Sequence, residues 1–372
     1  MSALRIRAAS LDDIDALSAI EAVAFATDRI SRRSFRALIV RPTAATLVAE
    51  MDGSVAGYAM ILFRAGTGMA RLYSLAVAPE RTGAGLGRKL LEAAEEAAKR
   101  HDRIMLRLEV REDNEGAIAL YRKCGYRQIG RIADYYDDGM AALRFEKLLR
   151  ADEARPSTPI PFYEQTTDFT CGSACLLMAL ARFVSPSYLD PVWEIRLWRE
   201  ATTIFMLAGP GGCEPFGLAV VSHSYGLKPS IYCSQTDEVL FLNTVRNPEK
   251  RKVMKLAQMD FRHRAHDLGI EARLSAFTLH DVRAAIAGGK LVVVLVSGYL
   301  MFGKKVPHWV LAHGDDGRHI MIHDPWVEEE RGETVADAAN LPVPYAVFDR
   351  ISRFGRNSLR AAVFLEGQRA DV

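Results

Sequence analysis

The chain lacks three features that would place it among membrane, nucleic-acid-binding or disulfide-stabilised proteins. Its longest strongly apolar run, KLVVVLVSGYL at 290–300, is far shorter than the roughly 20 residues that a membrane-spanning helix needs. Its net charge is only +2, so no overall charge favours nucleic acid or an anionic membrane. It has five cysteines, an odd number without a framework spacing, which argues against structural disulfides.

The rest of the composition is that of a folded protein with reduced thiols. Of the 372 residues, 49% are hydrophobic and 25% are charged. Since domains commonly span about 100–200 residues, this length favours two domains. The start, MSALRIRAASLDD, turns acidic at once and has no signal-peptide pattern. We therefore expect a two-domain cytoplasmic protein.

The hydrophobic pattern changes near residue 150. Residues 1–149 alternate strand-like and helix-like segments, which is typical of an α/β domain. Residues 150–158 are charged and contain Pro and Ser without apolar periodicity, which predicts a linker. Residues 159–372 place helices first and strand-like segments later, as in an α+β domain. The segments predicted as late strands are LVVVLVSGY, HWVLAHG, HIMIHDP, AVFDRI and RAAVFLE.

A glycine-rich turn follows a predicted strand in the first domain. The turn TGAGLG, residues 82–87, runs directly into the helical pattern of RKLLEAAEEAA. Glycines allow close approach of the backbone to a ligand, and the free N–H groups of a helix start favour a phosphate. A tight strand-to-helix turn without a ligand explains the same residues. The glycine spacing is not that of a dinucleotide fingerprint.

The order LAVAPERTGAGLGRKLL and then LEVREDNEGAIALYRKCGY resembles the GNAT superfamily of acetyl-CoA-dependent N-acetyltransferases. The likeness spans nearly all of residues 4–148 and is strongest to the ribosomal-protein-alanine N-acetyltransferase branch. It implies a mixed central sheet with flanking helices and acetyl-CoA as co-substrate. It also implies that the CoA pyrophosphate is held by backbone N–H groups of the turn. The cofactor-binding residues that it implies are Leu75, Ala76, Val77, Thr82, Gly83, Ala84, Gly85, Leu86, Gly87, Arg88, Asn114 and Tyr121.

The same resemblance assigns the acid and the base of acetyl transfer. Glu109 precedes Tyr121 by the interval found in the resembling branch, which implies a general base at Glu109, acting through water, and a general acid at Tyr121. Tyr135 and Tyr136 match a tyrosine pair near the acceptor. The family usually has Gln or Arg where this chain has Thr82, which predicts weaker CoA binding at most. An exposed strand-end carboxylate and a half-buried helix tyrosine are the structural alternatives for Glu109 and Tyr121.

The second domain opens on two cysteines in TTDFTCGSACLLMAL, residues 166–180. A cysteine nucleophile must be a thiolate, and a helix N-terminus together with a neighbouring histidine favours that form. Cys171 lies at or just before a predicted helix start. Cys175 lies one turn further and is surrounded by leucines, so we expect it in the core.

A partner for Cys171 is predicted by the hairpin HWVLAHGDDGRHIMIHDP, which starts at His308. Folding the two strands about residue 316 places His308 opposite Asp324 on one face of the sheet. An Asp that orients an imidazole is the third member of such a site. The amide of Gln165, six residues before the nucleophile, and the Cys171 N–H could hold an oxyanion.

The anchors IPFYEQTTDFTCGSAC and PHWVLAHG…HDP resemble the papain-like double-glycine leader peptidases, the bacteriocin-processing cysteine peptidases, over about 159–366. The resemblance implies a papain-like fold, a peptide substrate, and catalytic Gln165, Cys171, His308 and Asp324. The family's usual Asp before the nucleophile is Thr170 here. Two alternatives stay open: a domain that binds peptide without cutting it, and acyl transfer through Cys171 instead of hydrolysis.

The sequence thus predicts a bifunctional enzyme that acetylates a protein or peptide N-terminus, or another amine, and cleaves a leader-type peptide bond. Its expected partners are acetyl-CoA and a peptide or protein, without nucleic acid or membrane, and its oligomeric state is left open. No metal is expected, because His308, His313 and His319 lack a tight ligand spacing. The fusion suggests cleavage followed by acetylation of the new N-terminus.

Overall fold

The chain forms two compact units, Met1–Glu153 and Ala154–Val372. The computed structural model describes residues 4–64, 66–149, 160–202, 211–235, 240, 247–302, 304, 306–327 and 335–367. The predicted linker, 150–158, lies outside the described residues.

The first unit is built on a seven-stranded sheet in the order β1-β2-β3-β4-β5-β7-β6. Neighbouring strands are antiparallel except β4 and β5, which are parallel, so the predicted mixed sheet of the GNAT fold is confirmed. The elements are β1 (Arg5–Ala8), α1 (Ile14–Ala24), α2 (Arg32–Val40), β2 (Ala44–Met51), β3 (Ser54–Phe63), β4 (Met69–Val77), α3 (Leu86–Arg100), β5 (Met105–Arg111), α4 (Glu115–Lys123), β6 (Arg127–Ile132) and β7 (Ala142–Leu148).

Local sequence signals explain several of these boundaries. Asp52 and Gly53 both have positive φ angles, 53° and 77°, which a two-residue hairpin turn between β2 and β3 requires. Helix α3 buries one apolar face, including Leu90 and Leu91, against the sheet. Two elements, α2 and β6, were not assigned from the sequence. Both are short and mostly exposed.

The second unit contains another seven-stranded sheet, in the order β13-β12-β11-β10-β14-β8-β9, with only β8 and β9 parallel. Helix α5 packs on this sheet and is buried from Cys171 to Ala181. The elements are α5 (Cys171–Phe183), α6 (Pro191–Ala201), α7 (Pro215–Ser224), β8 (Leu227–Cys233), α8 (Pro248–Asp267), β9 (Glu271–Arg273), α9 (Leu279–Ala287), β10 (Leu291–Ser297), α10 (Gly298–Phe302), β11 (Pro307–Asp315), β12 (His319–His323), α11 (Val335–Ala338), β13 (Leu341–Pro344), α12 (Tyr345–Ile351) and β14 (Ala361–Gly367).

One predicted strand is wrong. The segment AVFDRI lies in helix α12, not in a strand. Tyr345, Phe348 and Ile351 recur every three residues, and the last two are fully buried on one face of the helix. A segment this short between loops does not distinguish a helical from a strand period on apolar content alone.

Within the part of the chain that the structure describes, no helix is both long and apolar enough to cross a lipid bilayer.

Candidate active sites

The sheet of the first unit opens between β4 and β5. These two strands pair only from Met69 to Arg71, opposite Met105 to Arg107, and then separate. On its other side β4 stays paired with β3 as far as Val77. The backbone of Leu75, Ala76 and Val77 therefore has a strand neighbour on the β3 side and a slot on the β5 side. Such a slot offers extended backbone donors and acceptors to an extended ligand.

The slot leads into the glycine-rich turn. Gly83 and Gly85 have φ angles of +86° and +74°, which disfavour any residue with a side chain. A Cβ added at either would meet no atom within 4 Å, so the space beside the backbone is open. Helix α3 begins at Leu86, and the first N–H groups of a helix have no partner within it. The Arg88 side chain bonds Glu92 instead, at 2.8 Å.

Glu109 is a buried carboxylate held by two arginines, not an exposed strand-end residue. Its side chain is 3% exposed. Arg71 donates from Nε to Oε2 at 2.9 Å, and Arg144, opposite on β7, places its Nε 3.6 Å from Oε1. Oε1 accepts no hydrogen bond within the described residues. The carboxylate is thus hydrogen-bonded through Oε2, while Oε1 faces Arg144 without a hydrogen bond from any described residue.

Tyr121 lies in the same region as Glu109, together with the tyrosine pair. Burial raises the pKa of the Tyr121 phenol, so it stays protonated. The pKa of Tyr136 is raised by burial and then by Tyr135 and Glu109. Tyr135 and Tyr136 meet edge to face with ring centres 5.0 Å apart.

Asn114 is the N-cap of helix α4, where its side chain accepts a hydrogen bond from the Ala117 N–H at 3.1 Å. This contact is with the protein itself and gives Asn114 a structural role in starting the helix.

Cys171 is the first residue of helix α5 and is 6% exposed. Thr170 is the N-cap, and its carbonyl accepts the first helical bond from the Ala174 N–H at 2.9 Å. The thiol therefore lies where the helix dipole favours an anion. Cys175 is fully buried one turn further, and burial raises the pKa of its thiol well above the usual range. Among the described residues, no cysteine forms a disulfide.

His308 and Asp324 meet in the second unit at 2.7 Å, from Nε2 to Oδ1, and both are buried. Burial alone lowers the pKa of His308, but Asp324 and then Cys171 raise it to about 10. Because Nε2 is engaged by Asp324, Nδ1 is the nitrogen left for the thiol. The arrangement favours an imidazolium at His308, beside Cys171.

The predicted register of the hairpin is wrong. Ala312 lies opposite Ile322 instead of residue 320, and a bulge follows at His313. The turn is centred near Gly317, whose φ is +91°, and not at residue 316. The shift at Ala312 is two residues, and an even shift keeps every side chain on its face. For that reason His308 and Asp324 still meet.

Gln165 is tied to this site through its backbone and its side chain. Its N–H donates to the carbonyl of Pro325, the residue after Asp324, at 3.0 Å. Its Nε2 donates to the Thr167 carbonyl at 2.6 Å and carries a second hydrogen. Gln165 is therefore brought beside the His–Asp pair, with one amide donor already used.

A residue that was not predicted from the sequence organises the loop before Cys171. Glu194 of helix α6 is fully buried and accepts hydrogen bonds from Tyr163 Oη at 2.8 Å and from both N–H and Oγ1 of Thr166, at 2.9 and 2.7 Å. Thr170 Oγ1 donates to it as well. The sequence signal is a single acidic residue within the apolar face of PVWEIRLW. No group of three or more His, Cys, Asp or Glu residues in the described chain is placed to hold a metal.

The two units thus define two classes of protein in one chain. The first is an acyltransferase domain with a slot for an extended co-substrate. The second is a thiol domain in which a histidine lies between a cysteine and a carboxylate. The chain belongs to the Peptidase C39-like family, whose model matches residues 160–366. Residues 12–126 match the acetyltransferase (GNAT) family, so the first unit is a GNAT acetyltransferase domain. Both resemblances predicted from the sequence are confirmed.

The curated relatives match the first unit. A candidate [ribosomal protein bS18]-alanine N-acetyltransferase of Bacillus subtilis is 36% identical over 133 residues, which cover 36% of this chain and 87% of that protein. An N-alpha-acetyltransferase of Sulfurisphaera tokodaii is 32% identical over 146 residues, with the same shares of the two chains.

Solved structures match the same region. The ribosomal-protein-S18-alanine N-acetyltransferase of Escherichia coli is 26% identical, with a TM-score of 0.37, and the match covers 42% of this chain and 99% of that one. A candidate acetyltransferase of Salmonella typhimurium, solved with its cofactor acetyl-CoA, is 24% identical with a TM-score of 0.37, covering 42% of this chain and 100% of that one.

Proposed function

We propose that the first unit transfers the acetyl group of acetyl-CoA to the amino group at the N-terminus of a peptide or protein. The observation that carries this proposal is the slot between β4 and β5, which ends at the glycine-rich turn. The pantetheine arm would lie along Leu75–Val77, and the pyrophosphate would meet the N–H groups of residues 82–88. Relatives that act on ribosomal-protein and other N-termini support the choice of acceptor.

The chemistry follows from the two oxygens of Glu109 and the phenol of Tyr121. The amine loses a proton to Glu109 Oε1, directly or through one water, and its nitrogen attacks the thioester carbonyl carbon. A C–N bond forms, the C–S bond breaks, and the Tyr121 hydroxyl gives its proton to the leaving sulfur. The raised pKa of Tyr121 keeps that proton in place until the sulfur leaves.

For the second unit we propose a papain-like cysteine peptidase. The Cys171 thiolate attacks the carbonyl carbon of a peptide bond, and the Gln165 amide and the Cys171 N–H hold the resulting oxyanion. His308 gives its proton to the leaving amine, and the thioester is then hydrolysed by water. The buried His308–Asp324 contact beside Cys171 is the observation that supports this proposal. Hydrolysis of a leader-type substrate and the coupling of cleavage to acetylation are parts of the same proposal.

Each activity has its own experiment. Purified protein is incubated with acetyl-CoA and a library of peptides that differ in their first residues. The products are expected to be about 42 mass units heavier at the N-terminus, because an acetyl group replaces one hydrogen atom. Glu109→Gln should form no such products. If only small amines are acetylated, the proposed acceptor is wrong.

The reactivity of the thiol in the second unit is tested separately. The protein is treated with limiting iodoacetamide from pH 5 to pH 9, and the labelled cysteine is mapped. A Cys171 that labels well below the pH of a free thiol, about 8.5, and loses this advantage in His308→Ala supports the peptidase. If Cys171 labels no faster than the other thiols, the second unit is a peptide-binding module. Product masses with and without added amine distinguish acyl transfer from hydrolysis.

A further inference from the structure

We infer that Arg71 is a positioning residue for acetyl transfer, one that fixes the Glu109 carboxylate through Oε2 and joins it to the tyrosine pair. This inference rests on the proposed acetyltransferase function. Neither the glycine-rich turn nor the acid–base pair includes Arg71, and its place in the fold carries the argument.

Arg71 lies at the point where the two strands separate. It is the last residue of β4 that pairs with β5, opposite Arg107. Glu109 lies two residues further along β5, beyond the pairing. The bond from Arg71 Nε to Glu109 Oε2, 2.9 Å long, therefore crosses the base of the slot. The side chains of Arg71 and Glu109 are only 7% and 3% exposed, so solvent and salt screen this pair weakly.

A second arm of the same guanidinium reaches the tyrosine pair. Arg71 donates from a terminal nitrogen to Tyr135 Oη at 2.8 Å. Tyr135 packs edge to face on Tyr136, with ring centres 5.0 Å apart. One planar cation with fixed donors thus sets the carboxylate and the aromatic pair relative to each other, which a lysine cannot do.

The hydrogen bond from Arg71 determines which oxygen of the Glu109 carboxylate can accept the proton of the amine. Arg71 occupies Oε2, whereas Oε1 accepts no hydrogen bond within the described residues. Loss of Arg71 removes the hydrogen bond that fixes Glu109 at Oε2, and it removes the donor to Tyr135 Oη. The two consequences are separable: the first changes the position of the base and therefore kcat, and the second changes the binding of the acceptor.

Arg107 offers a matched control in the same sheet. It is 2% exposed and donates from Nε to Glu146 on β7 at 2.8 Å, so its burial and pairing resemble those of Arg71. Arg107 forms no hydrogen bond or ion pair with Glu109 among the described residues. The cationic partners of the Glu109 carboxylate are Arg71 and Arg144.

The experiment records the side-chain carboxyl signal of Glu109 by NMR at pH 7 in full-length protein labelled with ¹³C-glutamate, the signal being assigned by Glu109→Gln. Arg71→Gln is expected to move this signal, because the hydrogen bond at Oε2 is lost. Arg71→Lys should move it less, and Arg107→Gln not at all. An unchanged signal in Arg71→Gln overturns the inference.

Kinetics provide the second readout and separate this inference from the proposed function. With an N-terminal peptide substrate, kcat should fall about tenfold in Arg71→Gln and stay unchanged in Arg107→Gln, and Arg71→Lys should raise the peptide KM at least threefold. If Arg71→Gln does not fold by circular dichroism, Arg71→Lys decides, and an unchanged KM overturns the inference. A wild-type protein that acetylates no peptide overturns the proposed function, while the NMR signal of the Glu109 carboxyl still decides whether Arg71 holds Glu109.

Discussion

The two candidate sites are made from different parts of the chain. The slot proposed for acetyl-CoA is made mainly of backbone: strand edges at Leu75–Val77, two glycines with positive φ, and the start of α3. The thiol site is made of buried side chains, with Cys171, His308 and Asp324 drawn from a helix and from the two arms of a hairpin.

This difference predicts how each site tolerates substitution. A backbone site depends on conformation, so many side chains can change there without loss, provided that the φ angles remain available. A side-chain site fails when one group is removed, since its members act as a unit. Five experiments test this contrast, in order of decreasing effect.

The largest effect is expected for the nucleophile. Cys171→Ala should reduce peptide hydrolysis by about four orders of magnitude or more, because no other group can form the thioester. Cys175→Ala is the matched control one turn away. It should retain hydrolysis, although the protein loses some stability from a buried side chain. Product formation by mass spectrometry measures both, and equal losses in the two variants would remove Cys171 from the mechanism.

The second effect concerns the acid of acetyl transfer. Tyr121→Phe should lower kcat by about 10² to 10⁴, the usual contribution of a positioned acid, with little change in the KM for acetyl-CoA. Tyr126→Phe is the control, since Tyr126 is buried beside Tyr121, with 5.8 Å between the ring centres. A normal kcat in Tyr121→Phe would assign the acid role elsewhere.

The third effect is a change in pH dependence in the second unit. Asp324→Asn removes the charge that keeps the pKa of His308 raised, so the imidazolium should be lost at lower pH. The rate at which iodoacetamide alkylates Cys171 at pH 6 should then fall by about tenfold, which corresponds to a shift of one pH unit. At pH 9 the two proteins should label at similar rates. Equal rates at pH 6 would show that Asp324 only supports the fold.

The raised pKa of His308 also makes the stability of the second unit depend on pH. The pKa of His308 is raised in the folded protein, so its stabilising contribution is complete below the ordinary value of 6.5 and is lost as the pH rises through about 10. Thermal unfolding of wild-type protein compared with Asp324→Asn should therefore show a difference that is larger at pH 6 than at pH 10.

The smallest effect is expected at the backbone site. Gly85→Ala forces a side chain into a left-handed conformation at a cost of about 1 kcal/mol, which should raise the KM for acetyl-CoA severalfold. Gly53→Ala is matched in φ, +77° against +74°, and in open surroundings, but lies in the hairpin turn between β2 and β3. It should lower stability equally without changing the KM. A change in KM in both variants would trace the effect to general destabilisation.

The same contrast explains what could be predicted from the sequence. Glycines, a helix start and an apolar period are local signals, so the turn, α3, α5 and most strands were predicted. The hairpin register failed, because the turn centre and the bulge at His313 depend on packing. His308 and Asp324 were paired only because the shift was even. Arg71 and Glu194 could not be found, since the partners that keep them buried lie 38 and 24–31 residues away in the sequence.

The short pairing between β4 and β5 has a thermodynamic consequence. A sheet that ends its pairing internally leaves a line of backbone groups whose partners must come from outside the polypeptide. With acetyl-CoA in the slot, opening of this part of the sheet is coupled to release of the ligand. At a ligand concentration one hundred times its Kd, that linkage is worth about 2.7 kcal/mol. The concentration of acetyl-CoA would then set how often the sheet of the first unit opens between β4 and β5.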